Sequence, residues 1–353
     1  MKTKLFSALA LVVAMGLPLS ANASLQTLSS LFVFGDSLSD GGNSGLVSQA
    51  ATDGAVTFPP PPYYNGQYSN GPVAVEYLWN SYNPGDTSFK PSLSPGGGTN
   101  YAIGGATSGL ANYNSVNPNV PSALQPAYAN LGTNWQLNTF AAQAPVFDPA
   151  TSLFVIWLFP NDLFNYQATF GMTPGTAGGA AGIGPVGINQ LIGNGIQNIV
   201  DTVLFLESKG AQHFLVANMP DLAKTPDGNG DLALTGLTQA FDLNLAQALT
   251  ALDAMLASAE IVQFDTYRFF DDAIANPGKY GFTNTSERCV DNLLNGRCNP
   301  LNNTWLFWDG SHPTTYAHSI LGAEFRAAVP EPESILLLAI GLLGIFVTRR
   351  RAA

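Results

Sequence analysis

The apolar positions of this chain fall into two patterns. Unbroken or nearly unbroken apolar runs occur at residues 31–34 (LFVF), 153–158 (LFVIWL) and 261–264 (IVQF), and another lies within HFLVANMPDL, which starts at His213. Runs that do not alternate with polar residues suit strands buried on both faces of a parallel sheet. Elsewhere the spacing is helical. Residues 190–209 carry apolar side chains at 192, 196, 199, 200, 203 and 204, and Gly210 supplies a stop signal. Residues 237–259 form a second long amphipathic stretch and residues 136–144 a shorter one. VAVEYLWN follows a polar cap and a proline at 69–72. Strands that alternate with helices predict an α/β domain whose parallel sheet is covered on both faces. Residues 101–103 add a short strand. Residues 44–69, 81–98 and 110–135 read as loops, the first with a run of prolines at 59–62. Residues 166–187 are almost free of charge and rich in glycine, which suits either a mobile flap beside a site or a flexible connection.

Polar residues gather where the apolar runs end, the edge at which open α/β sheets place their ligand chemistry. Gly35-Asp36-Ser37 ends the first run, and Phe159-Pro160-Asn161-Asp162 ends the second. Gly104-Gly105 follows the short strand, where glycine lets backbone amides come close to a ligand. Near the C-terminus Asp309 and His312 stand three residues apart, and Pro313 disfavours a helix at His312. A serine hydroxyl attacks only when a base takes its proton, and that base needs an orienting carboxylate. Ser37, His312 and Asp309 fit those roles. Of the three histidines, 213, 312 and 318, His312 alone has a carboxylate so placed, and His213 reads as structural. A developing oxyanion needs donors, for which the Ser37 amide, the Gly105 amide and the Asn161 side-chain NH₂ are the candidates. The chain has no G-x-S-x-G, so the nucleophile elbow of ordinary α/β-hydrolases is absent. DGNGD at 227–231 lacks the ligand spacing of an EF-hand and reads as a turn.

Both ends of the 353 residues read as addresses. Residues 1–23 hold Lys2 and Lys4, an apolar stretch and Ala21-Asn22-Ala23, a secretory signal cleaved after Ala23. Residues 329–353 hold Pro330-Glu331-Pro332, an apolar run at 335–347 and Arg349-Arg350-Arg351. That run is shorter than the roughly 20 residues of a comfortable membrane span. Residues 24–328 remain, ample for a large core and one domain. Without the basic ends, 8 basic and 22 acidic side chains are left, which disfavours nucleic acid or an anionic membrane surface as partner. The two cysteines, Cys289 and Cys298, are nine residues apart, and in an exported chain they read as a disulfide rather than a zinc site.

Taken together the blocks resemble the GDSL lipase/esterase family, also called SGNH hydrolases. Gly35-Asp36-Ser37-Leu38-Ser39-Asp40 resembles the nucleophile block, and Asn100 to Thr107 the block whose glycine, here Gly105, donates to the oxyanion. Asn161-Asp162 matches the asparagine block, and Asp309-Gly310-Ser311-His312-Pro313-Thr314 the block of aspartate and histidine. The resemblance spans about residues 30–320. It implies a flavodoxin-like three-layer α/β/α sandwich, broad ester substrates, and no metal or cofactor. The tail is similar to the PEP-CTERM sorting signal. That likeness implies a Gram-negative host, an exosortase-type processing enzyme, passing membrane contact through the C-terminal segment, and a destination at the cell surface or matrix. One position departs from the family pattern: Phe159 stands where glycine usually precedes the asparagine by two residues. This exchange is expected to alter the approach of Asn161 to the oxyanion and to narrow the acyl pocket. The leading expectation is a secreted serine ester hydrolase. Acyl transfer to an alcohol by the same triad is one alternative, and a non-catalytic surface or matrix protein that keeps the fold is the other.

Overall fold

The computed structural model describes residues 25 and 27–329, apart from 171–176, 179–184, 302 and 303. The expected leader, the apolar run at 335–347 and most of the expected flap lie outside these residues. Four parallel strands pair in sequence order: β1 (Ser30–Gly35), β2 (Ser152–Trp157), β3 (His213–Ala217) and β4 (Glu260–Phe264). The register sets Val33 beside Val155, Val155 beside Leu215, and Leu215 beside Val262. Residues 99–103 run along the free side of β1. The Val33 amide donates to the Thr99 carbonyl at 3.1 Å, and the Tyr101 amide to the Val33 carbonyl at 2.8 Å. Counted along the chain, this segment is second, so the spatial order is 2-1-3-4-5, the flavodoxin-like order. The chain therefore leaves β1 to one side for residues 99–103 and returns to its other side for β2. The crevice opened by that reversal lies at the C-terminal ends of β1 and β2.

Strand geometry sends successive side chains to opposite faces. Phe32, Phe34, Phe154, Ile156, Phe214 and Val216 enter one core. It is covered by α3 (Thr133–Gln143), α5 (Ile188–Glu207) and α6 (Leu232–Met255). Leu31, Val33, Leu153, Val155, Trp157 and Leu215 enter the other. That face is covered by α2 (Ala74–Tyr82), α7 (Thr266–Ala275) and α8 (Thr315–Ala328). The result is the three-layer α/β/α sandwich expected from the alternation of patterns. Phe32 stacks on Phe154 at 4.8 Å between ring centres, and Phe34 on Tyr101 at 5.2 Å, so aromatic rings cross-link the strands around β1.

Several elements differ from the expectation. Residues 44–69 are not all loop, because α1 (Asn43–Ala51) occupies the first part. Its start is fixed by Asp40, whose carboxylate accepts the amides of Gly42, Asn43 and Ser44 at 2.6–3.1 Å. α6 begins five residues early, at Leu232, because Asp231 accepts the Ala233 amide at 2.9 Å. α7 and α8 had no counterpart in the sequence reading. The 227–231 stretch is a turn, with its Asp231 serving as that cap. Cys289 and Cys298 form the disulfide. His318 accepts the Ala74 amide at the start of α2, and burial holds its imidazole down at about 3, so it is a neutral structural acceptor. Among the described residues, no helix is long and apolar enough to cross a membrane.

Phe159 carries the chain from β2 into α4 (Pro160–Phe170) with φ of 111°, a left-handed backbone that costs a non-glycine residue about 1–3 kcal/mol. Its ring is fully buried and lies flat on Phe241, with centres 3.9 Å apart. Gly195 of α5 makes the space, since a Cβ there would stand 2.3 Å from the ring. Replacing Phe159 by glycine relieves the backbone strain but empties a site whose ring contributes about 3–5 kcal/mol. Phe159→Gly is therefore expected to unfold in urea with about 2 kcal/mol less stability. A variant as stable as the parent would show that the stack on Phe241 contributes nothing net.

Candidate active site

Ser37 follows directly on β1, at the crevice described above. Its hydroxyl lies 2.8 Å from Nε2 of His312, and Nδ1 of His312 lies 2.9 and 2.8 Å from the two oxygens of Asp309. A carboxylate only accepts, so Nδ1 carries the proton and Nε2 is left to accept the serine hydroxyl. The loop holds this arrangement from within. The amides of Ser311 and His312 donate to Oδ1 of Asp309 at 2.9 and 2.8 Å, and the Trp308 amide donates to the His312 carbonyl at 2.7 Å. Burial alone would raise the Asp309 carboxyl. The charge of His312, its hydrogen bond and the two loop amides outweigh burial and hold the carboxyl below its ordinary range. Burial alone would lower His312, but Asp309, with Asp36 and Asp227 further off, raises the imidazole above its ordinary 6.5.

The segments that carry the three proposed oxyanion donors are each tied down by a buried carboxylate. Asp36 accepts the Leu38 amide at 3.0 Å and the Asn161 side-chain NH₂ at 3.1 Å. That bond orients the carboxamide: its nitrogen faces Asp36, and one N–H remains for another acceptor. Asp40 accepts the Gly104 amide at 2.9 Å besides the amides at the start of α1. Asp162, in the first turn of α4, accepts the amide and hydroxyl of Ser108 at 2.8 and 2.6 Å. Asp40 and Asp162 thus grip both sides of the turn that holds Gly105. At Gly105 φ is 79°, and a Cβ would stand 2.5 Å from Oδ1 of Asn112, so glycine is required there. Among the described residues, neither the Ser37 nor the Gly105 amide donates to a protein acceptor. Phe159 does not disturb this geometry, because its left-handed backbone turns the ring into the core and leaves Asn161 facing Asp36. The narrowing of the acyl pocket expected from Phe159 therefore has no counterpart: the ring is fully buried on Phe241.

The sequence reading missed the carboxylates behind the donors and two tyrosines behind the triad. Asp40 had a signal, since an aspartate three and four residues before Asn43 and Ser44 suits a helix start. Tyr63 donates to Oδ2 of Asp309 at 2.9 Å, and Tyr68 lies beside the His312 ring at 5.0 Å between centres. Both come from the proline-rich stretch that read as a surface loop, and nothing local marks them. Among the described residues, no group of His, Cys, Asp and Glu is arranged to hold a metal ion.

The family model for GDSL-like lipase/acylhydrolase matches residues 31–325. The chain belongs to that family. It is thereby placed among the hydrolases of carboxylic esters. A second family model, the PEP-CTERM protein-sorting motif, matches residues 328–351, a signal for export and exosortase processing in Gram-negative bacteria. The GDSL chain is 26% identical over 326 residues to the thermolabile hemolysin of Vibrio parahaemolyticus, a match covering 85% of this chain and 64% of that one. It is 26% identical over 343 residues to a GDSL esterase/lipase of Arabidopsis thaliana, covering 84% of this chain and 85% of the relative. A phosphatidylcholine-sterol acyltransferase of Aeromonas hydrophila is 25% identical over 275 residues, covering 77% and 69%. Among solved structures, a catalytic mutant of an acetylxylan esterase from Geobacillus stearothermophilus aligns with a TM-score of 0.40 at 13% identity, covering 86% of this chain and 96% of that one.

Burial pushes Asp36 up to about 6 from 3.8, and Asp162 up to about 7, against the hydrogen bonds that favour their charged forms. A carboxyl raised on folding contributes stability that is full below its unfolded value and is lost as the pH rises through the folded one. For Asp36 the loss is on the order of 3 kcal/mol by pH 8. Asp36→Asn is expected to be more stable than the parent at pH 8, with the gap closing as the pH falls below about 6. The same variant offers an NH₂ to Asn161, whose carboxamide then turns its oxygen inward, and kcat/KM should fall about 100-fold. Urea unfolding at the two pH values and steady-state kinetics check both halves. A variant less stable at pH 8 would show that the hydrogen bonds of Asp36 outweigh its desolvation.

Proposed function

We propose that this chain hydrolyses carboxylic esters through an acyl-enzyme on Ser37. The observation that carries the reading is the 2.8 Å contact from the Ser37 hydroxyl to Nε2 of His312, with Asp309 bonded to the far nitrogen. Ser37 Oγ attacks the ester carbonyl carbon while its proton passes to Nε2. The carbonyl oxygen takes up the negative charge and is met by the Ser37 and Gly105 amides and the free N–H of Asn161. Collapse breaks the bond to the alcohol oxygen, which leaves with the proton from Nε2. Water then gives a proton to Nε2 and its oxygen to the acyl carbon, and the acid departs as Ser37 is restored. If an alcohol takes the place of water, the product is a new ester. The named activity of the Aeromonas relative favours keeping that second reading. The joined triad supports either reaction over a non-catalytic matrix protein.

For export, residues 1–23 serve as a cleaved leader and residues 24–328 as the hydrolase domain. The tail at 329–353 serves as a transient membrane segment cut near Pro330-Glu331-Pro332, which releases the enzyme to the surface or matrix. Intact mass of the protein from its host is expected to match a species starting near Ser24 and ending near Pro330. One still ending at Ala353 would mean a tail-anchored enzyme.

Ser37→Ala is expected to fold normally, lose activity on p-nitrophenyl esters by several orders of magnitude, and escape a fluorophosphonate that labels the parent. Labelling that persists would place the nucleophile elsewhere. Adding an alcohol to the same assay separates hydrolysis from transfer by its products. Because His312 must be neutral to act as base and its proton is held more tightly than usual, the acid limb of kcat/KM should lie above pH 6.5. A limb well below that value would argue against His312 as the base.

A further inference from the structure

We propose that Tyr63 is a positioning residue for the triad, fixing the Asp309 carboxylate and lowering the proton affinity of His312. This rests on the ester-hydrolase reading and adds a fourth member to its hydrogen-bonded chain. The two oxygens of Asp309 are held differently. Oδ1 takes the Ser311 and His312 amides from its own loop. Besides His312, the partner of Oδ2 among the described residues is the Tyr63 hydroxyl, which comes from a segment 246 residues away in sequence. Held at Oδ1 alone, the carboxylate can swing about its Cβ–Cγ bond; the bond to Tyr63 removes that freedom.

The tyrosine is itself well held. Its ring stands edge-on to Trp308 at 5.8 Å and to Tyr68 at 6.5 Å, and its amide donates to the Pro60 carbonyl at 3.1 Å. Trp308 immediately precedes Asp309, so ring and carboxylate are set by one piece of chain. Burial and the charge of Asp309 push the phenol well above its ordinary 10, so it stays a donor throughout the working range. Asp36 and Asp227 also face His312, and His318 lies behind it. Arg288 and Asp291 face Tyr63, and Arg288 is paired with both Asp227 and Asp291.

The sign of the effect follows. A donor on Oδ2 draws off part of the charge that would otherwise stabilise the imidazolium. Removing it leaves Asp309 more strongly coupled to His312, so the imidazole holds its proton to higher pH.

The test is Tyr63→Phe, which keeps the ring on Trp308 and removes only the hydroxyl, with the exposed Tyr64→Phe as control. With two other histidines in the chain, the His312 imidazole is assignable by NMR through single substitutions, and its titration reads the coupling without any turnover. In Tyr63→Phe the His312 midpoint is expected to move up by roughly half a pH unit, and kcat to fall about tenfold at unchanged KM. Tyr64→Phe should match the parent in both. A His312 midpoint that stays put or moves down in a folded Tyr63→Phe overturns the proposal, whatever happens to kcat. If the parent's activity survives Ser37→Ala, the ester-hydrolase reading fails instead, and the titration still stands as an independent result.

Discussion

Three carboxylates buried at the C-terminal edge of β1 hold the site together. Asp36, Asp40 and Asp162 are each at most 1% exposed, and each bridges two segments distant in sequence. Asp36 joins the β1 loop to the start of α4, Asp40 joins it to the Gly104–Gly105 turn, and Asp162 joins α4 to Ser108. Burying an ionised carboxylate is unfavourable by several kcal/mol unless hydrogen bonds replace the lost water. These three are supplied almost wholly by backbone amides and short polar side chains. Directional bonds of that kind fix positions to tenths of an ångström, which apolar contacts do not. The proposed oxyanion donors depend on such fixing, since a donor works only within hydrogen-bond reach of the charge that develops.

The sheet was legible because its strands are continuous apolar runs, and the site because the topology sends the ends of β1, β2 and the 99–103 segment to one crevice. A short motif at each end was then enough to place Ser37, Gly105 and Asn161. The loop holding Asp309 and His312 was legible for a different reason: one histidine had a carboxylate at three residues and a proline after it. What stayed hidden were contacts that depend on tertiary packing alone. Tyr63 and Tyr68 sit in a stretch dominated by proline, glycine and asparagine, and their meaning comes from Trp308 and His312, some 240 residues onward. Helix α1 was obscured by its glycine and serine content, whose weak helix propensity is overridden by the Asp40 cap and packing.

Phe159 shows how a local rule can be broken without loss of the geometry it protects. A glycine at that turn would supply a positive φ at little steric expense; a phenylalanine supplies it under strain and recovers stability by stacking on Phe241. The compensation is distributed, because it needs Gly195 on a third element to stay small. The backbone that aims Asn161 is therefore set from behind, by the core between α5 and α6, while its side chain is set from in front by Asp36.

That division has a consequence for how the site responds to pH. Burial lets Asp36 and Asp162 take up protons at about 6 and about 7, while His312, raised by Asp309 against its burial, holds its proton to above its ordinary 6.5. Protonation relieves these two buried anions, while under the proposed mechanism the same acidification occupies the base. At higher pH Asp36 and Asp162 are charged and are held by hydrogen bonds from Leu38, Asn161 and Ser108. In the proposed mechanism the imidazolium would form beside Asp309 and within the field of Asp36, whose charges both favour it. The anionic surroundings of His312 therefore favour proton transfer from Ser37 to His312, the first step of the proposed mechanism.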